Sequence, residues 1–189
     1  MNAASPPIDP GARRSLRARL VAGPVARRVA VWDLRLYRLL RHDAQVPELE
    51  ASIRSFSRLG EHAGLWLALG SAGAMLDPRR RPRWLHGAGA VAVAYLLNTA
   101  LKTVVRRHRP ALEGLPALIS TPTSLSFPSA HAASSFAAAR AYSALVPAGP
   151  LYATAAAMAL SRIYLGVHYP SDIAVGAVLG LAVGSTGRR

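Results

Sequence analysis

SRIYLGVHYPSDIAVGAVLG, residues 161–180, closes one apolar run and opens the next, with Arg162, His168 and Asp172 at the join. The break at HYPS interrupts any helix through it, because proline restricts the residue before it and ends helices. The stretch therefore reads as helix, turn, helix. Past the break, Gly176, Gly180 and Gly184 recur at every fourth position. In an apolar helix such a small-residue stripe is a packing surface. Charge within a bilayer is costly, so the charged join asks for a reason.

Working outward, five apolar segments fill most of residues 60–186: about 60–76, 84–105, 129–146, 150–166 and 171–186. The second is long enough to cross a hydrocarbon layer of about 30 Å at about 1.5 Å per residue. The last three lie near the short end of the spanning range. Together they predict an all-α integral-membrane bundle of about five transmembrane helices over residues 56–189. Residues 1–28, rich in Pro, Gly and Arg, read as a flexible basic tail without the apolar core of a secretory signal. Residues 29–55 read as an amphipathic interfacial helix and linker. Val29, Trp32, Leu36, Leu39 and Leu40 fall at helical spacing, with Arg35, Arg38 and Arg41 elsewhere. A helix simply packed on the bundle gives the same pattern.

The 189-residue chain is 51% hydrophobic yet carries a formal net charge of +14, and Lys102 is its only lysine. Nucleic acid, an anionic membrane surface and an anionic substrate all attract such charge. The apolar runs leave little soluble surface, which argues against nucleic acid. With no cysteine, neither disulfides nor a thiolate metal site enters. Four arginines in residues 77–83 oppose eleven in the first 60 residues. Under the positive-inside rule the longer tail outweighs the loop, and a cytoplasm-facing site is expected.

If all five segments span, four helix ends share one membrane face. KTVVRRHRP (102–110), PSAH (128–131) and SRIYLGVHYPSD (161–172) fall at those ends. Lys102, Arg109 and Arg162 supply three cations, and the arginine forks match phosphate oxygens. Pro128 is expected in the first turn of a helix whose free N–H groups, with the Ser129 hydroxyl, face an anion. Neutral histidine is a nucleophile near pH 7, and in-line attack on phosphorus gives a phosphohistidine. Asp172, four residues past His168, is spaced to accept the imidazole N–H and fix the tautomer. The second histidine would protonate the leaving group and then activate water. Three cations on the equatorial oxygens remove the need for a metal or other cofactor. Glu61 and His62 are candidate head-group contacts, interfacial solvation being the plainer alternative. Arg140, deep in the third segment, is a further candidate, although hydrogen bonding to Asn98 or helix carbonyls would also account for it.

The three motifs, Lys-x6-Arg-Pro, Pro-Ser-Ala-His and Ser-Arg-x5-His-x3-Asp, together resemble the signature of the type 2 phosphatidic acid phosphatase superfamily over about residues 56–186. One position departs: Ala130 stands where the family usually has Gly, keeping the backbone N–H. The resemblance implies His168 as nucleophile, His131 as general acid/base and Asp172 as the orienter of His168. It also implies Lys102, Arg109, Ser129, Ala130 and Arg162 as the phosphate holders. The implied activity is that of a metal-independent lipid phosphatase, multi-pass in a bacterial plasma membrane, acting on a phosphomonoester or diphosphate. Many bacterial members have six spans, so the 29–42 segment would replace the first, or a homo-oligomer would cover the exposed face. The short length and RLGEHAGLWLALG (58–70) are similar to actinobacterial members acting on decaprenylphosphoryl-5-phosphoribose. Polyprenyl diphosphate and phosphatidylglycerol phosphate are the alternative substrates. A phospholipid-binding protein without turnover would use the same cations but leave His131, His168 and Asp172 without purpose. The vanadate-dependent haloperoxidases share the pocket but are soluble and larger.

Overall fold

Proline opens three of the helices, as its fixed φ and missing N–H favour at a first turn: α1 (Pro24–His42), α2 (Pro47–Arg58) and α7 (Pro170–Gly184). Between them lie α3 (Gly64–Leu76), α4 (Arg81–Val105), α5 (Ala130–Tyr142) and α6 (Ala148–Tyr164). This computed structural model describes residues 23–42 and 46–186, and among them the architecture is all-helical.

Helix α5 forms the centre. Ala132, Ala133, Ala137, Ala138 and Ala139 are fully buried, which lets neighbouring backbones approach closely. The glycine stripe does what its spacing predicts. A Cβ added at Gly176 would sit 2.6 Å from the Ser129 carbonyl oxygen, and one at Gly184 2.5 Å from that of Ala137. Gly180 lies closer still over the Ala133 carbonyl. Helix α7 thus rides directly on the α5 backbone, setting the His168–Asp172 turn beside the start of α5. At the far end, the Tyr142 hydroxyl donates to the Trp66 carbonyl at 3.0 Å, and Trp66 Nε1 donates to Ser135 Oγ at 2.8 Å. These bonds tie α3 to α5.

Several boundaries differ from expectation for identifiable reasons. The first apolar segment starts late: Glu61–Ala63 form a 3-10 turn, with His62 and Ala63 at φ 52° and 60°. Helix α5 is shorter than the expected 129–146, and Ser129 rather than Pro128 marks its start, as N-cap, with Oγ accepting from Ala132 N at 3.4 Å. Pro128 therefore lies outside the helix. Helix α6 begins before Pro150, which falls in its first turn, where a missing N–H goes unnoticed. Helix α1 already starts at Pro24, inside the stretch expected to be tail, while residues 1–22 of that tail lie outside the described residues. Among the described residues one helix, Pro78–Val105 with its preceding turn, is long and apolar enough to cross a membrane; Pro170–Gly184 is a shorter apolar helix.

Helix α1 reverses the usual polarity of a packed helix. Trp32 and Leu39 are about 60% exposed, at 59% and 60%, whereas Asp33, Tyr37 and Arg41 are buried. These three lie at i, i+4 and i+8, one stripe of a helix, and that stripe faces the protein. The helix packs on the bundle through this stripe, and its apolar side faces outward.

Candidate active site

The end of α4, the start of α5, the end of α6 and the turn before α7 meet around one cavity of about 540 Å³. Lys102, Arg109, His131, Arg162 and His168 all line it, as does Ala130. The convergence inferred from helix ends alone is thus present. Ser129 sits just behind, buried, its N–H donating to the Asp172 carbonyl at 3.0 Å. Ala130 opens α5 with a helical backbone, so it needs no left-handed φ and alanine fits without strain.

His168 sits in the turn between α6 and α7 and is almost fully buried. Burial pushes its pKa well below 6.5, and the charges of Arg109, Lys102 and Arg162 add to that. The ring is neutral at pH 7. Arg109 NH1 lies 3.3 Å from His168 Nε2. A guanidinium only donates, so Nε2 carries the lone pair and Nδ1 the proton. Nδ1 is 3.4 Å from Asp172 Oδ2, within ion-pair reach but with no hydrogen bond made. The Nε2 lone pair points at Arg109 rather than away from the cations.

Arg109 is anchored by backbone: its Nε donates to the Thr123 carbonyl at 2.9 Å and NH1 to that of Val167 at 2.7 Å. Burial lowers its pKa to about 10, with Asp172 opposing, and it remains charged. Lys102, in the last turn of α4, donates to the carbonyls of Leu125 and Ser126 at 3.3 and 3.1 Å. Arg162 donates from NH1 to Ser57 Oγ at 2.7 Å, while its Nε is buried without a partner. An unsatisfied buried guanidinium N–H beside a cavity is a donor waiting for an acceptor. His131 Nε2 lies 3.1 Å from the Ser57 carbonyl, so that nitrogen carries a proton.

Glu61 and His62 also line the cavity, on the left-handed turn, with the His62 ring 6.2 Å from that of Tyr95. Backbone held in a sparsely populated region costs energy and clusters at functional sites. Arg140 stands apart. It lies near the other end of α5 from His131, its Nε donating to Ser185 Oγ at 2.9 Å. Among the described residues no group of three His, Asp or Glu side chains is gathered as a metal site.

Sequence reasoning missed Ser57, whose hydroxyl meets both Arg162 and Ser161. A serine on a polar helix carries no local signal of that role. It missed Gly60 as well, where a Cβ would come 2.7 Å from the His131 ring. Arg107, inside the arginine-rich RRHRP, had no separate mark, yet it pairs with Asp172 at 3.0 Å and Asp33 at 2.8 Å.

Residues 83–187 match the model of the PAP2 superfamily. Two curated relatives named decaprenylphosphoryl-5-phosphoribose phosphatase are similar over most of the chain. The one from Mycobacterium tuberculosis is 41% identical across 74% of this chain and 78% of its own length. The one from Mycolicibacterium smegmatis is 45% identical across 69% and 72%. Among solved structures, Aquifex aeolicus LpxE aligns with a TM-score of 0.67 at 29% identity, covering 80% of this chain and 91% of the other. The transmembrane PAP2-type phosphatidylglycerolphosphate phosphatase from Bacillus subtilis shares the fold, with a TM-score of 0.66 at 23% identity over 89% and 87%. With the family matched over more than half its length, and with relatives this similar, the chain belongs to the PAP2 superfamily and is a phosphoric ester hydrolase.

Proposed function

We propose that this protein is a metal-independent integral-membrane phosphatase that removes the 5-phosphate of decaprenylphosphoryl-5-phosphoribose through a phosphohistidine on His168. The observation that carries the reading is the His168 Nε2 lone pair, turned toward Arg109 in a cavity that Lys102, Arg162 and His131 also line. The names and identity of the mycobacterial relatives support the choice of lipid.

Nε2 attacks phosphorus in line as the bond from phosphorus to the ribose C5 oxygen breaks. Lys102, Arg109 and Arg162 hold the equatorial oxygens, doing electrostatically what a metal ion does elsewhere. The Nδ1 proton stays toward Asp172, which stabilises the charge developing on the ring. A bound phosphate dianion favours the imidazolium form of His131. One of its N–H groups stays on the Ser57 carbonyl, and the other protonates the leaving alkoxide. Neutral His131 then takes a proton from water, water attacks phosphorus, and the bond from phosphorus to Nε2 breaks to release orthophosphate. The helices α3 to α7 cross the bilayer and α1 lies at its surface, its exposed Val29, Trp32, Leu36 and Leu39 in the lipid boundary.

The test is phosphate release by the purified full chain in mixed micelles, with and without EDTA. Decaprenylphosphoryl-5-phosphoribose is assayed beside a polyprenyl diphosphate, phosphatidylglycerol phosphate and phosphatidic acid. The ribose phosphate is expected to lead by roughly tenfold or more in kcat/KM, with EDTA leaving the rate unchanged. A lead for another lipid moves the substrate assignment to that lipid. Strict metal dependence overturns the mechanism.

A further inference from the structure

Asp172 cannot hold His168 unless something holds Asp172. Its carboxylate is fully buried; its Oδ2 accepts from the Tyr169 N–H at 2.8 Å and lies 3.4 Å from His168 Nδ1. The other oxygen accepts from Arg107 NH1 at 3.0 Å. A buried carboxylate left without its cation is strongly unfavourable, so the Arg107 contact holds Asp172 in place. Arg107 is itself a fork: NH1 serves Asp172 and Ser171 Oγ, whereas NH2 reaches Asp33 Oδ2 at 2.8 Å. Its guanidinium also lies 4.1 Å over the Tyr169 ring.

Asp33 belongs to α1, far away in sequence, and its side chain is only 3% exposed. It accepts from Arg107, from the Ser171 N–H at 2.8 Å and from the Ser171 hydroxyl at 2.6 Å. The Ser171 N–H is one of the free donors in the first turn of α7, so Asp33 caps that helix from outside it. Further along the same stripe of α1, the Tyr37 hydroxyl donates to the Gly166 carbonyl at 3.2 Å, and Arg41 donates to the carbonyls of Tyr164 and Pro116. Helix α1 thus grips the nucleophile turn from Tyr164 to Ser171.

We infer that Asp33, through Arg107, is a positioning residue for phosphoryl transfer: it holds the Asp172 carboxylate, and through it the His168 ring, in the attacking geometry. The inference rests on the reading of His168 as the nucleophile. Neither Asp33 nor Arg107 lines the phosphate cavity. Their loss should therefore slow the chemical step while leaving substrate binding intact.

The experiment measures kcat and KM of full-length D33N, R107Q, the double variant and H168A in micelles. Rates are counted per site that binds inorganic phosphate, so that unfolded protein drops out. D33N and R107Q are each expected to lower kcat about tenfold with KM within about twofold, the scale of lost outer-shell orientation. The double variant is expected to fall no further than the worse single one, because the two side chains act as one relay. R107K, which keeps the charge, is expected to recover part of the loss. A wild-type kcat per phosphate-binding site in D33N and R107Q, with H168A inactive, overturns the relay and leaves the nucleophile standing. Multiplying losses in the double variant likewise overturn it. Full activity in H168A removes the nucleophile reading itself.

Discussion

His168 keeps its neutral form because it is buried among cations, and that has a thermodynamic consequence. Its native pKa lies well below 6.5, so in acid the denatured chain binds a proton that the native chain refuses. Stability therefore rises with pH where denatured histidine titrates, and falls as pH drops through about 6.5. In detergent, the melting temperature of the wild type is expected to fall between about pH 6.5 and 5, above the ordinary carboxylate range. H168Q is expected to flatten that fall; an equally steep fall in the variant counts against a neutral buried ring. At this scale the motif residues were legible because each has a chemical type suited to binding or handling phosphate. Ser57 and Gly60 were not. One acts through a carbonyl and a hydroxyl, the other through the absence of a side chain, and neither property announces itself in a one-dimensional pattern.

Helices α5 and α7 decide how the three motifs meet. Gly176, Gly180 and Gly184 let α7 lie on the carbonyls of α5, bringing the Asp172 carbonyl to the Ser129 N–H. Gly180→Ala places a methyl against the Ala133 carbonyl, where backbone rather than a flexible side chain must yield. Overpacking of this kind costs about 1–3 kcal/mol, and a lower detergent melting temperature with reduced phosphate affinity is expected. A variant as stable as the wild type would show that the helices separate freely. The four-residue stripe was readable directly from the sequence. The buried face of α1 was not marked in the sequence, whose pattern singled out the apolar positions. Asp33, Tyr37 and Arg41 turn inward, each finding a partner on the segment around His168. Long-range polar pairing leaves no periodic trace beyond the i, i+4 spacing itself.

Across the whole molecule, the positive charge has a division of labour. Lys102, Arg109 and Arg162 converge on one cavity, Arg41 and Arg107 fasten the turn around His168, and Arg140 binds the far end of α7. The order of helix ends predicted that convergence, on the expectation that all five apolar segments span and alternate ends share a face. The late start of α3 was not predictable, because left-handed backbone at His62 and Ala63 is a tertiary choice that no propensity favours. What unites these features, we propose, is His168 taking the phosphoryl group. The most direct measurement is rapid alkaline quenching of the wild type in its first turnover, with substrate labelled in the terminal phosphate, followed by mapping of the labelled peptide. The label is expected on His168, formed before orthophosphate appears and absent from His168→Ala. Turnover with no labelled enzyme, or label on any other residue, would contradict attack by His168.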